Sequence, residues 1–530
     1  MFGLFTPRPP LEVQEQAWVE RHLNVLAGRL GPERLGLNGG EPVEQLLPSR
    51  ELAGFDGSAE KTAQLFARFA AHLGIDPDGV TVEWFDGDRR TDPNQLHVVG
   101  GQSRPWGLWS LGDGQTPTVS LNRELTSEPT NLAATVAHEL CHQILLGESL
   151  RGERFMSLTD ALEETLRPPS DREASGSPLD DPDEEPRTDL TCAALGLGLF
   201  VANATVQEQR IPATAAGTFG HWWQIGRSGY LTSRELGYAL ALLWHVRQER
   251  DGSTGDPPWI GELRGDAAAA VTGGLKYLRK VGDARFSAAS LRDSSPPTEA
   301  GVREDLHHKR PARRLAAVWD AAQLRDRESR TPAVESETLS ALLETLRDRE
   351  PAVRAAAAEA IGRLCPDAAT DRDAWDRCLV GLIAATDDPL AAVRAAALRG
   401  LAAAPDLARA EAAREELDRV ALAGLGARTP AVRSAAAAIA VRLPPVEAES
   451  GGLSEPPFAP AVLKALVGAL VRCDDREAAE HVATLRELHP DPAAFAEERV
   501  DDDELLSRVL DALGVAPLAE PEPEPMGVAQ

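Results

Sequence analysis

Two imidazoles and a carboxylate fall within five residues at His138-Glu139-Leu140-Cys141-His142. On a helix His138 and His142 stand about one turn apart, so both rings project from one face and can grip a single zinc ion. Glu139, beside the first ring, can reach a zinc-bound water where a general base is needed. The neighbours Val136, Ala137, Leu140, Cys141, Gln143 and Ile144 carry no charge. The helix is therefore expected to sit inside a core, with Ser127 as its cap, Pro129 in its first turn and an end near Leu146.

A catalytic zinc takes three protein ligands and keeps one position open. The next acidic residues placed at a helix are in Glu184-Glu-Pro-Arg-Thr-Asp189, where Glu185 and Asp189 lie four apart. Pro186 confines Glu185 to the very start of that helix, which is expected to run on to about Ala204. On the residues alone the third donor stays open among Glu185, Asp189, Glu184 and Asp183.

His138-Glu139-x-x-His142 followed by a helix bearing Glu185-x-x-x-Asp189 resembles the gluzincin class of zinc metallopeptidases. That resemblance implies Zn2+ as cofactor, Glu185 as third ligand and Asp189 as the carboxylate that orients a ligand histidine. It implies Glu139 as general base and a peptide or protein as substrate. The match covers two short segments and departs from the usual pattern twice. Residues 148–184 form a long, acidic connection rich in Pro and Ser, and Pro186 crowds Glu185 against the cap.

Such peptidases often carry a downstream His or Tyr that donates a hydrogen bond to the developing oxyanion. His221 and Tyr230, in an aromatic and glycine-rich stretch from Phe219 to Tyr230 read as a loop, are the candidates, with a packing role as the alternative. Thr232 or Ser233 can cap the next helix, about 234–247.

Upstream, apolar spacing predicts helices over 11–30 and 59–73, the second ended by Gly74. Short strands are predicted at 80–84, 96–99, 106–111 and 117–121. In many zincins a strand near the metal helix pairs with extended substrate. Thr118–Leu121 is the candidate, with an ordinary interior strand as the alternative.

The second half of the chain repeats. Arg354, Arg394 and Arg433 each follow Ala-Val and open an Ala-rich helix, at spacings near forty residues. A unit of that length with two helices resembles the HEAT repeat, which implies stacked units and a surface for a protein partner. The arginines are expected to contact the preceding unit or a neighbouring carboxylate. A partial unit at 310–324 and a degenerate one at 461–488 are expected to flank the three.

The expected fold class is an α+β zincin-like N-terminal domain, a small sheet plus buried metal-site helices, followed by an all-α HEAT-like solenoid. Expected boundaries are 1–281 for the first domain, with an acidic insertion at about 165–184, then a linker at 282–302, repeats at 303–515 and a tail at 516–530. The net charge of −28 argues against nucleic acid or an anionic membrane as main partner. No run of apolar residues is long enough to span a bilayer. Five scattered cysteines with no C-x-x-C pair and no evident signal peptide point to reduced thiols in a cytoplasmic protein. The functional expectation is a zinc metallohydrolase, most readily a peptidase. A zinc-binding regulatory module with little turnover and a repeat-bearing scaffold are the alternatives.

Overall fold

The computed structural model describes residues 10–37, 43–86, 107–111, 117–149, 184–211, 222–227, 231–281, 286–287, 298–327 and 336–443. The chain divides into two compact units, Met1–Pro296 and Pro297–Gln530.

The first unit begins with α1 (Val13–Leu30), the short α2 (Pro48–Glu51) and α3 (Ala59–Leu73). The Ser58 hydroxyl caps α3 by accepting the Lys61 N–H at 3.2 Å. Gly74 ends it at φ +73°, a conformation that costs a residue without Cβ little. Three strands follow: β1 (Thr81–Phe85), β2 (Gly107–Leu111) and β3 (Pro117–Asn122). Their order is β1-β3-β2, with β1 parallel and β2 antiparallel to β3. The strand predicted for substrate pairing, Thr118–Leu121, therefore lies at the sheet centre with both edges occupied. The edge strand beside the helix that bears His138 and His142 is β2. The strand predicted at 96–99 lies outside the described residues.

The helix that carries His138 and His142 is α4 (Pro129–Ser149), one turn longer than expected at its end. Ser127 does not cap it. Its hydroxyl donates instead to the Glu124 carbonyl at 2.8 Å within a preceding 3-10 turn. Leu132, Ala133, Val136, Ala137, Leu140 and Cys141 are fully buried, and α4 packs on α3 and β2 as well as on the helices that follow.

Those helices are α5 (Glu184–Ala194) and α6 (Gly198–Ala204). The sequence suggested one helix here, but Gly196 breaks it at φ +89°. A Cβ at that position would sit 2.2 Å from the Glu44 carbonyl oxygen, so only glycine admits the approach. Phe200 on α6 meets Phe69 on α3 at a centroid distance of 4.8 Å, a pair that adds about 0.5–1.5 kcal/mol beyond its burial. Next come β4 (Val206–Ile211) and β5 (Trp222–Arg227), an antiparallel pair. The stretch around Trp222 is thus a strand, not the loop its glycines suggested. Then α7 (Ser233–Asp251) opens with a capping box. Thr232 Oγ1 accepts the Glu235 N–H at 3.1 Å and the Glu235 carboxylate accepts the Thr232 N–H at 2.6 Å. Finally α8 (Gly265–Val281) packs along α7, where Gly237 and Gly274 leave no room for a Cβ.

The second unit stacks helix pairs: α9 (Glu299–Leu306) with α10 (Pro311–Arg327), α11 (Ser336–Thr345) with α12 (Pro351–Leu364), α13 (Arg372–Ala385) with α14 (Ala391–Ala403), and α15 (Arg414–Leu425) with α16 (Pro430–Arg442). The partial unit expected at 310–324 is a complete pair, and its first helix occupies 299–302, which the sequence reading gave to the linker. Val353, Val393 and Val432 are buried between pairs. The second helices α12 and α14 meet at Gly362 and Gly400, where a Cβ on Gly362 would lie 2.2 Å from the Gly400 carbonyl oxygen. Of the three repeat arginines, Arg354 meets a neighbouring carboxylate, one in the following unit, as Arg314 does in the pair before; Arg394 and Arg433 bond the carbonyls just before their own helices. Arg314 grips Asp348 through Nε (2.6 Å) and Nη2 (2.8 Å), and Arg354 grips Asp388 at 2.8 and 3.2 Å. Arg394 donates through Nη1 to the Asp388 and Pro389 carbonyls, but the position of the next carboxylate is Ala427.

The expected insertion before Glu184, most of the linker, the degenerate unit expected at 461–488 and the tail lie outside the described residues. Among the described residues no helix is long and apolar enough to cross a membrane. Cys141, Cys192, Cys365 and Cys378 are free and buried.

Candidate metal centre

Two helices build the site. From α4 come His138, Glu139 and His142; from α5 come Glu185, Thr188 and Asp189. Glu185, Thr188 and Asp189 are three and four residues apart, so they share the helix face turned to α4. Their atoms converge. His138 Nε2 lies 2.8 Å from Glu185 Oε2, His142 Nε2 lies 3.3 Å from that oxygen, and the two Nε2 atoms are 3.1 Å apart. Among the described residues this trio is the group of His, Cys, Asp or Glu side chains that could hold a metal ion.

Asp189 stands behind His138. Its Oδ1 accepts the His138 Nδ1–H at 2.9 Å, and its Oδ2 accepts the Leu231 backbone N–H at 3.0 Å. Asp189 is buried, at 1% side-chain exposure. With the proton on Nδ1, the Nε2 lone pair of His138 faces a carboxylate oxygen, and the two repel unless a proton or a cation lies between them. Thr188 plays the matching part for His142, its Oγ1 3.4 Å from Nδ1.

Electrostatics carry the same message. Burial alone would lower the His138 pKa, but hydrogen bonds to Asp189 and Glu185 outweigh it and hold the ring well above its ordinary value. Burial would raise the Glu185 carboxyl, but the hydrogen bonds from His138 and His142 hold it far below the usual carboxylate range. The field that favours a proton between these groups would favour a metal cation in the same place. The donor set also fits zinc. Ligands at roughly 2.0–2.1 Å around a tetrahedral ion are about 3.3–3.4 Å apart, and the trio is only slightly tighter. Burial raises the carboxyl of Glu139, 6% exposed, from its ordinary value, with His142 and His138 opposing the shift and Glu185 adding to it.

The structure thus brings His138, Glu139, His142, Glu185 and Asp189 together. His221 and Tyr230 lie outside the described residues, as does Asp183. Thr188 and the Leu231 N–H were not singled out in the sequence. Thr188 was legible as the residue three after Glu185; the backbone donor carried no sequence signal.

A family model described as HEAT repeat matches residues 339–368, the α11–α12 pair and the turn after it. No curated protein matches the chain. Among solved structures, the crystal structure of an engineered protein from the Northeast Structural Genomics Consortium aligns with 41% of this chain and 98% of its own. The identity is 16% and the TM-score 0.29, too low to carry a fold assignment.

Proposed function

We propose that the chain is a zinc-dependent metallohydrolase, most readily a peptidase, joined to a protein-interaction module of HEAT-like repeats. One observation carries the hydrolase reading: the meeting of His138 Nε2, His142 Nε2 and Glu185 Oε2 beside a buried glutamate. His138, His142 and Glu185 would hold the ion. Zinc bound there would supply Lewis acidity to a carbonyl and to water. Asp189 keeps the His138 proton on Nδ1 and so leaves Nε2 free to bind. Glu139, its basicity raised by burial, takes a proton from the attacking water and returns it to the leaving amine. The outer edge of β2, which pairs with no strand among the described residues, supports binding of an extended peptide by strand addition.

The test is zinc per chain by elemental analysis, with hydrolysis of quenched fluorescent peptides by wild type and Glu139→Gln. One zinc per chain in both proteins, with turnover reduced about 10²–10⁴-fold in the variant, is the expected result. A chain that takes up no zinc after reconstitution overturns the reading. Zinc without turnover leaves the second reading, a regulatory zinc module whose partner is chosen by the repeats, which the HEAT match at 339–368 favours.

A further inference from the structure

A groove of about 540 Å³ opens between the first helices α11 and α13 of neighbouring repeats. Leu343, Leu346 and Val380 supply its apolar surface, and Gly381 is among the residues that line it. A Cβ at Gly381 would stand 2.8 Å from Leu343 Cδ2, so a larger residue there would push into the groove. Val380 is 67% exposed, the highest value for a large hydrophobic side chain among the described residues. Apolar surface left open beside charged residues marks a binding face.

The charges around the groove are unevenly matched. Asp388 is held by the Arg354 fork and Asp376 pairs with Arg372 at 3.1 Å, while Asp387 makes no ion pair among the described residues, Arg419 being held by Glu416 at 2.6 Å. The two lining arginines differ. Arg377 donates to the neutral Ser340 hydroxyl at 3.1 Å, and Arg347 has no carboxylate partner among the described residues. The groove therefore offers two guanidinium groups without a carboxylate partner against one unpaired lining carboxylate, Asp387, beside an apolar floor, on a chain whose net charge is −28.

We infer that this groove binds an acidic, amphipathic peptide segment of a partner protein. Its apolar side chains lie on Leu343, Leu346 and Val380, and its carboxylates meet Arg347 and Arg377. Planar guanidinium forks match carboxylates, and an apolar floor favours a peptide over a polyanion of phosphates. The inference deepens the interaction-module reading of the repeats and rests on it; zinc and hydrolysis do not enter.

The experiment is selection of a random twelve-residue peptide display library on the full-length protein. The enriched peptide is then labelled with fluorescein and its affinity measured by anisotropy. Enrichment of sequences that combine Glu or Asp with Leu, Ile or Phe is expected. Binding weakened at least tenfold in Arg347→Glu/Arg377→Glu and in Val380→Asp is also expected. All three positions are exposed, so these variants keep the fold, which circular dichroism checks. Enrichment of basic peptides overturns the inference, as does an acidic peptide bound equally by all variants. Failure to enrich any peptide would remove the interaction-module reading itself, whereas a bound peptide blind to these variants removes only this groove. Self-association lost in the variants would give the groove to a second copy, and affinity that rises on deleting residues 517–530 would give it to the chain's own Pro/Glu-rich end. Either would overturn the assignment to a partner.

Discussion

Asp189 ties His138 to the start of α7: one carboxylate oxygen accepts the His138 Nδ1–H at 2.9 Å, the other the Leu231 backbone N–H at 3.0 Å. The orientation of an imidazole on α4 is thus set through α5 by a backbone group from a third segment. Changing Asp189 must disturb both partners at once.

Asp189→Asn leaves one acceptor oxygen for two donors and turns an amide NH2 toward the other donor. We expect zinc affinity to fall about 10–100-fold and stability to fall by about 1–3 kcal/mol. Competition with a chromogenic chelator and denaturant unfolding measure the two effects. Unchanged zinc affinity would remove Asp189 from the site.

Thr188→Val keeps the shape of the side chain and deletes the hydroxyl near His142 Nδ1. The contact is long, 3.4 Å, so the expected loss of zinc affinity is at the low end for such partners, about tenfold. Thr188→Ser should restore it, since serine keeps the hydroxyl. Equal affinity in the Val and Ser variants would show that only packing matters there.

How much of this arrangement could be read from the chain depends on how local its cause is. The two histidines and Glu139 are set by helical spacing over one turn, and the flanking apolar residues foretold burial. Glu185 is forty-seven residues from His138, and only a resemblance singled it out from neighbouring acids. The central place of β3 was hidden because it depends on a parallel pairing with β1 across intervening chain. The break at Gly196 was missed for the same reason, since its cause is the distant Glu44 carbonyl. In the repeats, Arg310-Pro-Ala-Arg-Arg314 lacks the Ala-Val that marks the others, so a complete unit looked partial.

The arginine fork of the repeats is interrupted at Ala427, and Ala427→Asp should continue it from Arg394. The expected gain is at most about 1 kcal/mol, because the pair stays near the surface. Asp388→Ala should cost about 1.5–3 kcal/mol, since Arg354 and the Leu390 N–H both lose their acceptor. Thermal and denaturant unfolding of the full chain would check both signs. A destabilising Ala427→Asp would show that Arg394 cannot reach the new carboxylate.

His22 gives the first unit a dependence on pH. Burial, then the charges of Arg21 and Arg187, hold its pKa well below the ordinary 6.5. The ring stays neutral in the folded chain, donating Nδ1–H to the Trp18 carbonyl at 2.8 Å. Its contribution is complete above pH 6.5 and is lost as pH falls toward the folded value, because only the unfolded chain takes up the proton. The slope is at most about 1.4 kcal/mol per pH unit. His138 shifts the opposite way, so the useful quantity is the difference between wild type and His22→Gln. Unfolding at pH 7.5 and 5.5 should show a smaller acid loss in the variant, and equal losses would contradict the assignment.

Where Gly362 and Gly400 meet, a Cβ on Gly362 would lie 2.2 Å from the Gly400 carbonyl oxygen, and one on Gly400 would lie 2.4 Å from the Ala358 carbonyl oxygen. A side chain at either position would have to wedge α12 and α14 apart, and in a stack of close-packed units that displacement would be handed on to every repeat beyond it.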